Sequence, residues 1–231
     1  MGPSQYIQIK GSTLTVDIAN QEKHFTLAPL PGEFIDWQVN ERLKIFDDLT
    51  KQKKPTFFSP HLPTLLTISD KTMEFPINAA SKGVGLVPYD DQLHSLSQRL
   101  QESIKTLQGL DLHTSLLQRL EIAKLFYGSQ NHINRFCLGG LEIFETTSFS
   151  NIIRDPRVSL FFVGNSPTYL SYQINCIAEI IPSDQWFYKF ISSMRSLFEM
   201  ESFHFQQPKY PFAVKYHTIQ VLDKSLKIRG K

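Results

Sequence analysis

Cysteine is almost absent from this 231-residue chain, which carries only Cys137 and Cys176. Two thiols cannot form a disulfide framework, and neither lies in a Cys-x-x-Cys or Cys/His zinc spacing. A stapled or zinc-built scaffold is excluded, and a reducing compartment is the natural reading. Net charge is equally sparse, with 24 Lys and Arg against 22 Asp and Glu. A surplus of +2 is too small for a general nucleic-acid grip, which shows as clustered Lys and Arg. The chain also lacks a run of about 18 uninterrupted apolar residues, and its start lacks a basic segment leading into an apolar one, so no membrane segment is expected and the protein reads as cytoplasmic. Met1-Gly2 opens like a myristoylation signal, but Tyr6 stands where that pattern wants Ser or Thr. Glycine is scarce too, with 11 residues against 18 Phe. What the chain has is aromatic bulk, each ring burying roughly 150–250 Å², which excludes disorder as the dominant state. The length lies between one large domain and a domain with an appendage.

Hydrophobic periodicity divides the chain into a β-rich region with one helix (1–88), a helical hairpin (89–128) and a mixed C-terminal part (129–231). Short strands are expected around Ile7, Leu14 to Ile18 and Phe25. Pro29, Pro31 and Gly32 end them, and Asp36 is placed to cap a helix over about 37–49, closed by Lys51, Lys53 and Lys54. Five prolines between 55 and 88 punctuate short β pieces, Leu65 to Ile68 and Met73 to Phe75. Ser81-Lys82-Gly83-Val84-Gly85 lacks the Lys-Ser/Thr of a P-loop and reads as a connector. Leu93, Leu96, Leu100, Ile104 and Leu107 form one helical stripe that Gly109 ends. A second helix over about 114–127 stops at Gly128, read as a left-handed terminus. Gly139-Gly140 between two apolar runs signals a hairpin. A helical turn follows at Ile152 to Asp155, then strands over 158–163 and 169–181. A helix capped by Asp184 and a strand over 212–222 complete the pattern. Phe203 and Phe205 suit a dimer contact or ligand lid.

The run GGLEIFETTSFSNIIRDPRVSLFFVG, Gly139 to Gly164, carries a strand ending in hydroxyl residues, a short Asn-Ile helix, and Asp155-Pro156-Arg157-Val158 before an apolar strand. This pattern resembles the pyridoxamine 5′-phosphate oxidase-like FMN-binding split-barrel superfamily, over about residues 129–222. The resemblance implies an α+β fold with a C-terminal antiparallel split β-barrel and packed helices. It further implies a homodimer, FMN as cofactor, and a flavin-dependent oxidoreductase acting on a small organic substrate. Physically, a hydroxyl-rich turn at a helix start aims N–H groups and hydroxyls at one spot that favours phosphate. The implied contacts are Thr146, Thr147, Ser148, Ser150 and Asn151, with Arg135 as the assisting cation. The chain departs from the family's oxidases at Phe149-Ser150-Asn151, where a cation is usual. That loss weakens phosphate binding by about 1–3 kcal/mol.

Two further readings come from the same fold. Some split-barrel proteins bind or degrade haem through a histidine, and His132 and His217 are the candidates here. A non-catalytic dimeric scaffold, with the N-terminal region binding a protein partner, is the other. No catalytic acid, base or nucleophile is identifiable. Glu142 and Glu145 are three apart on an expected strand and so face oppositely, and no metal site is expected.

Overall fold

In the computed structural model the chain is described over residues 7–51, 53, 60–70, 72–164, 169–198 and 210–226. Three strands open it as an antiparallel meander: β1 (Ile7–Lys10), β2 (Thr13–Ile18) and β3 (Gln21–Thr26). The β2–β3 turn places Ala19 (φ 54°) and Asn20 (φ 60°) in the left-handed region, as a two-residue turn matched to strand twist requires. Leu14, Val16 and Ile18 alternate inward and pack with Ile177 into a small core of their own. The first helix, α1 (Gly32–Thr50), begins five residues earlier than a helix capped by Asp36 would. Pro31 takes the N-cap position in extended conformation, because its fixed φ already suits a helix entrance. Asp36 lies within the helix and accepts from Gln130 Nε2 at 2.7 Å. Lys51 pairs with Asp47 at the C-terminal end; Lys54, like Phe203 and Phe205, lies outside the described residues.

Seven antiparallel strands build the main sheet: β4 (Thr64–Ile68), β5 (Ile77–Ser81), β6 (Gly85–Pro88), β7 (Ile133–Glu142), β8 (Arg157–Val163), β9 (Ser171–Pro182) and β10 (Phe212–Asp223). Their order is β5-β4-β8-β9-β10-β7-β6. Laid flat, six gaps of about 4.8 Å would put β5 and β6 roughly 29 Å apart. Yet Lys82 to Val84 alone join them, and four Cα steps reach at most about 14 Å. The sheet therefore curls until its two edges meet at the crossover, giving a barrel closed at that end. Val84 N donates to His61 O and Lys82 N to Pro63 O, which fastens the crossover to the entry of β4. The barrel is thus not confined to residues 129–231, since three of its strands come from residues 64–88. Met73, Glu74 and Phe75, expected as a β piece, form exposed bends before β5.

Gly139-Gly140 is not a hairpin turn. Strand β7 runs straight through both, because each glycine sits where a neighbour comes too close for a side chain. A Cβ at Gly139 would lie 2.8 Å from Phe187 and Ile191, and one at Gly140 would lie 2.3 Å from Gly83 O. The first face of β7 is thus turned to a helix and the second to the crossover.

Helices α2 (Asp90–Lys105) and α3 (Leu112–Tyr127) form the expected hairpin, with Gly109 at φ +77° between them. Gly128 is not left-handed; instead a Cβ there would meet Lys124 O at 2.6 Å. The short α4 (Thr147–Arg154) links β7 to β8, and α5 (Trp186–Ser196) links β9 to β10. Gln185, not Asp184, holds the N-cap position of α5. Phe126 and Phe190 meet edge to face at 5.0 Å, so α3 and α5 share the large core with Phe34, Leu100, Leu160 and Phe162. Among the described residues, no helix is long and apolar enough to cross a membrane.

Candidate functional site

The hydroxyl-rich segment after β7 forms the first turns of α4. Thr146 is its N-cap, and its side chain makes no capping bond. Ser150 N donates to Thr146 O at 3.1 Å as the first helical bond, so the N–H groups of Thr147, Ser148 and Phe149 lack acceptors within the helix. Thr146, Thr147 and Ser150 are exposed there. Phe149 points the other way and stacks on Phe212 at 5.5 Å.

Ser148 and Asn151 have a different role from the one the sequence suggests. Both are buried against the β4–β5 hairpin. Asn78 Nδ2 donates to Ser148 Oγ at 3.0 Å. Asn151 Nδ2 donates to Thr67 Oγ1 at 3.0 Å and Ser69 Oγ at 3.2 Å, while its Oδ1 accepts from Arg154 at 3.1 Å. These polar atoms are satisfied within the protein, so they fasten α4 to the barrel. Arg135 is not brought to this turn. It lies seven positions before Glu142 on β7, roughly 23 Å away at strand rise. Its Nε and Nη2 donate to Leu30 O at 3.2 and 3.0 Å.

A cation does stand near the turn, and the sequence reading missed it. Lys82 Nζ on the barrel crossover donates to Glu142 Oε1 at 3.1 Å and Oε2 at 3.0 Å. Glu142 Oε1 also accepts from the N–H groups of Ile143, Phe144 and Glu145 at 3.2, 3.1 and 3.0 Å. Glu145 at φ 46° completes the curl that aims the three at one point. Successive N–H groups and a lysine make an anion cradle, here filled by the chain's own carboxylate. No local signal marked the pair, because its members are 60 residues apart.

The Asp155-Pro156-Arg157 motif is a clamp at the start of β8. Asp155 accepts from Arg157 Nε at 2.9 Å and Nη2 at 2.6 Å. Burial alone would raise the Asp155 pKa, but the hydrogen bonds and charge of Arg157 hold it below the usual carboxylate value.

The two histidines are apart. His217 pairs in register with Cys137, and His132 lies five positions before Cys137, roughly 16 Å along β7. His132 Nδ1 is 2.8 Å from Gln92 Oε1. His217, 3% exposed, has Nε2 at 2.7 Å from Glu179 Oε2. Among the described residues no group of three or more His, Cys, Asp and Glu is arranged to hold a metal ion.

No family model matches the sequence, and no curated protein does. Among solved structures, an FMN-binding protein from Syntrophomonas wolfei is similar at 10% identity and a TM-score of 0.40, covering 85% of this chain and 95% of that one. A Lactobacillus delbrueckii protein described as a pyridoxamine 5′-phosphate oxidase shares 17% identity at a TM-score of 0.39, covering 84% and 93%. HutZ, the haem storage protein of Vibrio cholerae, shares 9% at 0.38, covering 80% and 94%. Likeness this distant names neither a ligand nor a reaction for this chain.

Proposed function

We propose that this protein binds FMN as a homodimeric split-barrel oxidoreductase acting on a small organic substrate. The observation that carries the reading is the start of α4: an uncapped helix end between two barrel strands, with the hydroxyls of Thr146, Thr147 and Ser150 exposed beside unpaired N–H groups. That donor set suits a phosphate. Arg135, Ser148 and Asn151 do not fit the group, since the fold already uses them. The phosphate-holding set therefore narrows to Thr146, Thr147 and Ser150. The flavin would supply the electron chemistry, and the chain would supply binding and orientation.

Haem is supported less, because His132 and His217 each already face a polar partner. The test is a titration of the purified chain with FMN and with riboflavin, read by absorbance and melting temperature. FMN should raise the melting temperature and riboflavin, lacking the phosphate, should do so less. A chain that shows neither a flavin spectrum nor a thermal shift with FMN overturns the reading in favour of the non-catalytic scaffold.

A further inference from the structure

A cleft of about 520 Å³ opens between the starts of α2 and α5, on the face of the sheet away from the barrel crossover. That volume is within the range of small-molecule sites. Its floor is Lys215 on β10 beside Glu179 on β9, which are cross-strand partners. Asp90 and His94 from the first turns of α2 make one wall, and Trp186 and Phe187 from α5 the other.

Three charges cross this cleft in alternating sign. Lys215 Nζ donates to Asp90 Oδ1 at 2.7 Å and Oδ2 at 2.9 Å. The lysine side chain is 11% exposed, whereas that of Asp90 is 65% exposed. Glu179, on the other side, is backed by the buried His217. Burial draws the Lys215 ammonium toward neutrality, but negative charge from Cys137 when ionised, from Asp90 and from Glu179 raises its pKa above the ordinary lysine value. A buried cation whose partner stands in water gains little for the fold, since desolvation is set against a screened attraction. A leucine would cover the same strand, so the charge itself calls for an explanation.

The walls add recognition of their own. His94 stands edge-on to Trp186 with ring centroids 4.3 Å apart, and Lys189 Nζ lies 4.0 Å from the Trp186 ring centroid. Both helix starts contribute partial positive charge. A simple anion in this cleft would face two carboxylates, and a simple cation would face Lys215. Lys215 and Asp90 already meet each other, and a ligand carrying both signs can join that pair without leaving a charge of either sign unmatched.

We propose that this cleft binds a small zwitterion of the amino-acid type with an apolar side chain. Its carboxylate would reach Lys215 and the helix starts, its ammonium would lie on the water-facing side of Asp90 and Glu179, outside the Lys215 ammonium that stands between them, and its side chain would cover Trp186 and Phe187. This proposal is independent of the flavin reading. The test uses the full chain and three probes: L-phenylalanine, phenethylamine, which lacks the carboxylate, and 3-phenylpropanoate, which lacks the ammonium. Calorimetric titration should show L-phenylalanine binding at least about tenfold more tightly than either analogue. Asp90→Asn, which keeps a hydrogen-bond acceptor for the buried Lys215 and whose folding is checked by its melting temperature, and Glu179→Gln should each weaken it by a similar factor. Lys215→Met should erase the preference for L-phenylalanine over phenethylamine. Absence of heat and of thermal shift with L-phenylalanine overturns the proposal. So does equal binding of the analogues, or unchanged affinity in both Asp90→Asn and Glu179→Gln.

Discussion

Lys82 Nζ sits 3.1 and 3.0 Å from the two carboxylate oxygens of Glu142, tying the crossover that closes the barrel to the end of β7. The Glu142 side chain is buried, at 2% exposure, and that of Lys82 is mostly covered, at 15%. Removing one partner leaves the other charged and without compensation. Glu142→Leu should therefore destabilise by about 3–5 kcal/mol, while Lys82→Met/Glu142→Leu together should cost less than the two single changes added. Urea unfolding of the four proteins measures this. Strict additivity would show that the pair contributes no coupling.

The two glycines of β7 should respond unequally to alanine. The obstacle at Gly139 is the tips of Val87, Ile191 and Phe187 side chains, which can turn aside, whereas at Gly140 it is the Gly83 carbonyl of the backbone. Gly140→Ala should cost the larger amount, toward the upper end of the roughly 1–3 kcal/mol range for overpacking, and Gly139→Ala the smaller. Melting curves of the two variants rank them directly. The reverse order would mean that the crossover yields more easily than the core.

The hydroxyl cluster of α4 should divide into two classes. Asn151→Leu removes the hydrogen bonds to Thr67 and Ser69 and should lower stability by about 1–3 kcal/mol, with little change in FMN affinity. Thr146→Val with Ser150→Ala should leave unfolding nearly unchanged and weaken FMN relative to riboflavin. If Asn151→Leu instead changes affinity alone, the roles are exchanged.

Alkaline pH should unfold the protein through its thiols. Burial pushes the Cys137 thiol up to about 12, and the fully buried Cys176 is also raised. The folded chain then keeps protons that the unfolded chain releases. The stability is fully present below the unfolded thiol value and is lost as pH rises from about 9 toward 12, by roughly 1.4 kcal/mol per pH unit per thiol. Cys137→Ala should flatten that slope. Neither thiol should react with an alkylating reagent at pH 8 unless denaturant is added.

Much of this architecture was legible because its signals are local. The stripe of Leu93, Leu96 and Leu100 and the alternation from Tyr172 to Ile180 each contain their own period, and α2 and β9 follow it. The Gly139-Gly140 pair was misread because a tight turn and a close approach demand the same residue. Only Gly83 and Phe187, far off in sequence, separate the two cases. Arg135 was assigned to phosphate by its nearness along the chain, whereas its acceptor, Leu30, is 105 positions away. Ser148 and Asn151 fit the motif equally well as ligand contacts or as ties to the β4–β5 hairpin, and only the positions of Asn78 and Thr67 decide. The Asp90, Lys215 and Glu179 alternation is spread over three elements, so no window of the sequence contains it.

Closure of the barrel by early strands also sets an order of events during synthesis. Thr64 pairs with Phe161, 97 positions later. At about 5–20 residues per second, β4 waits on the order of 5–20 s for β8 to leave the ribosome. Through that interval β4 has only β5 to pair with, and Leu65 and Leu66 lack the strand that pairs with them on the other side. The nascent chain is therefore most vulnerable to aggregation at mid-length, when a chaperone would have the most to hold.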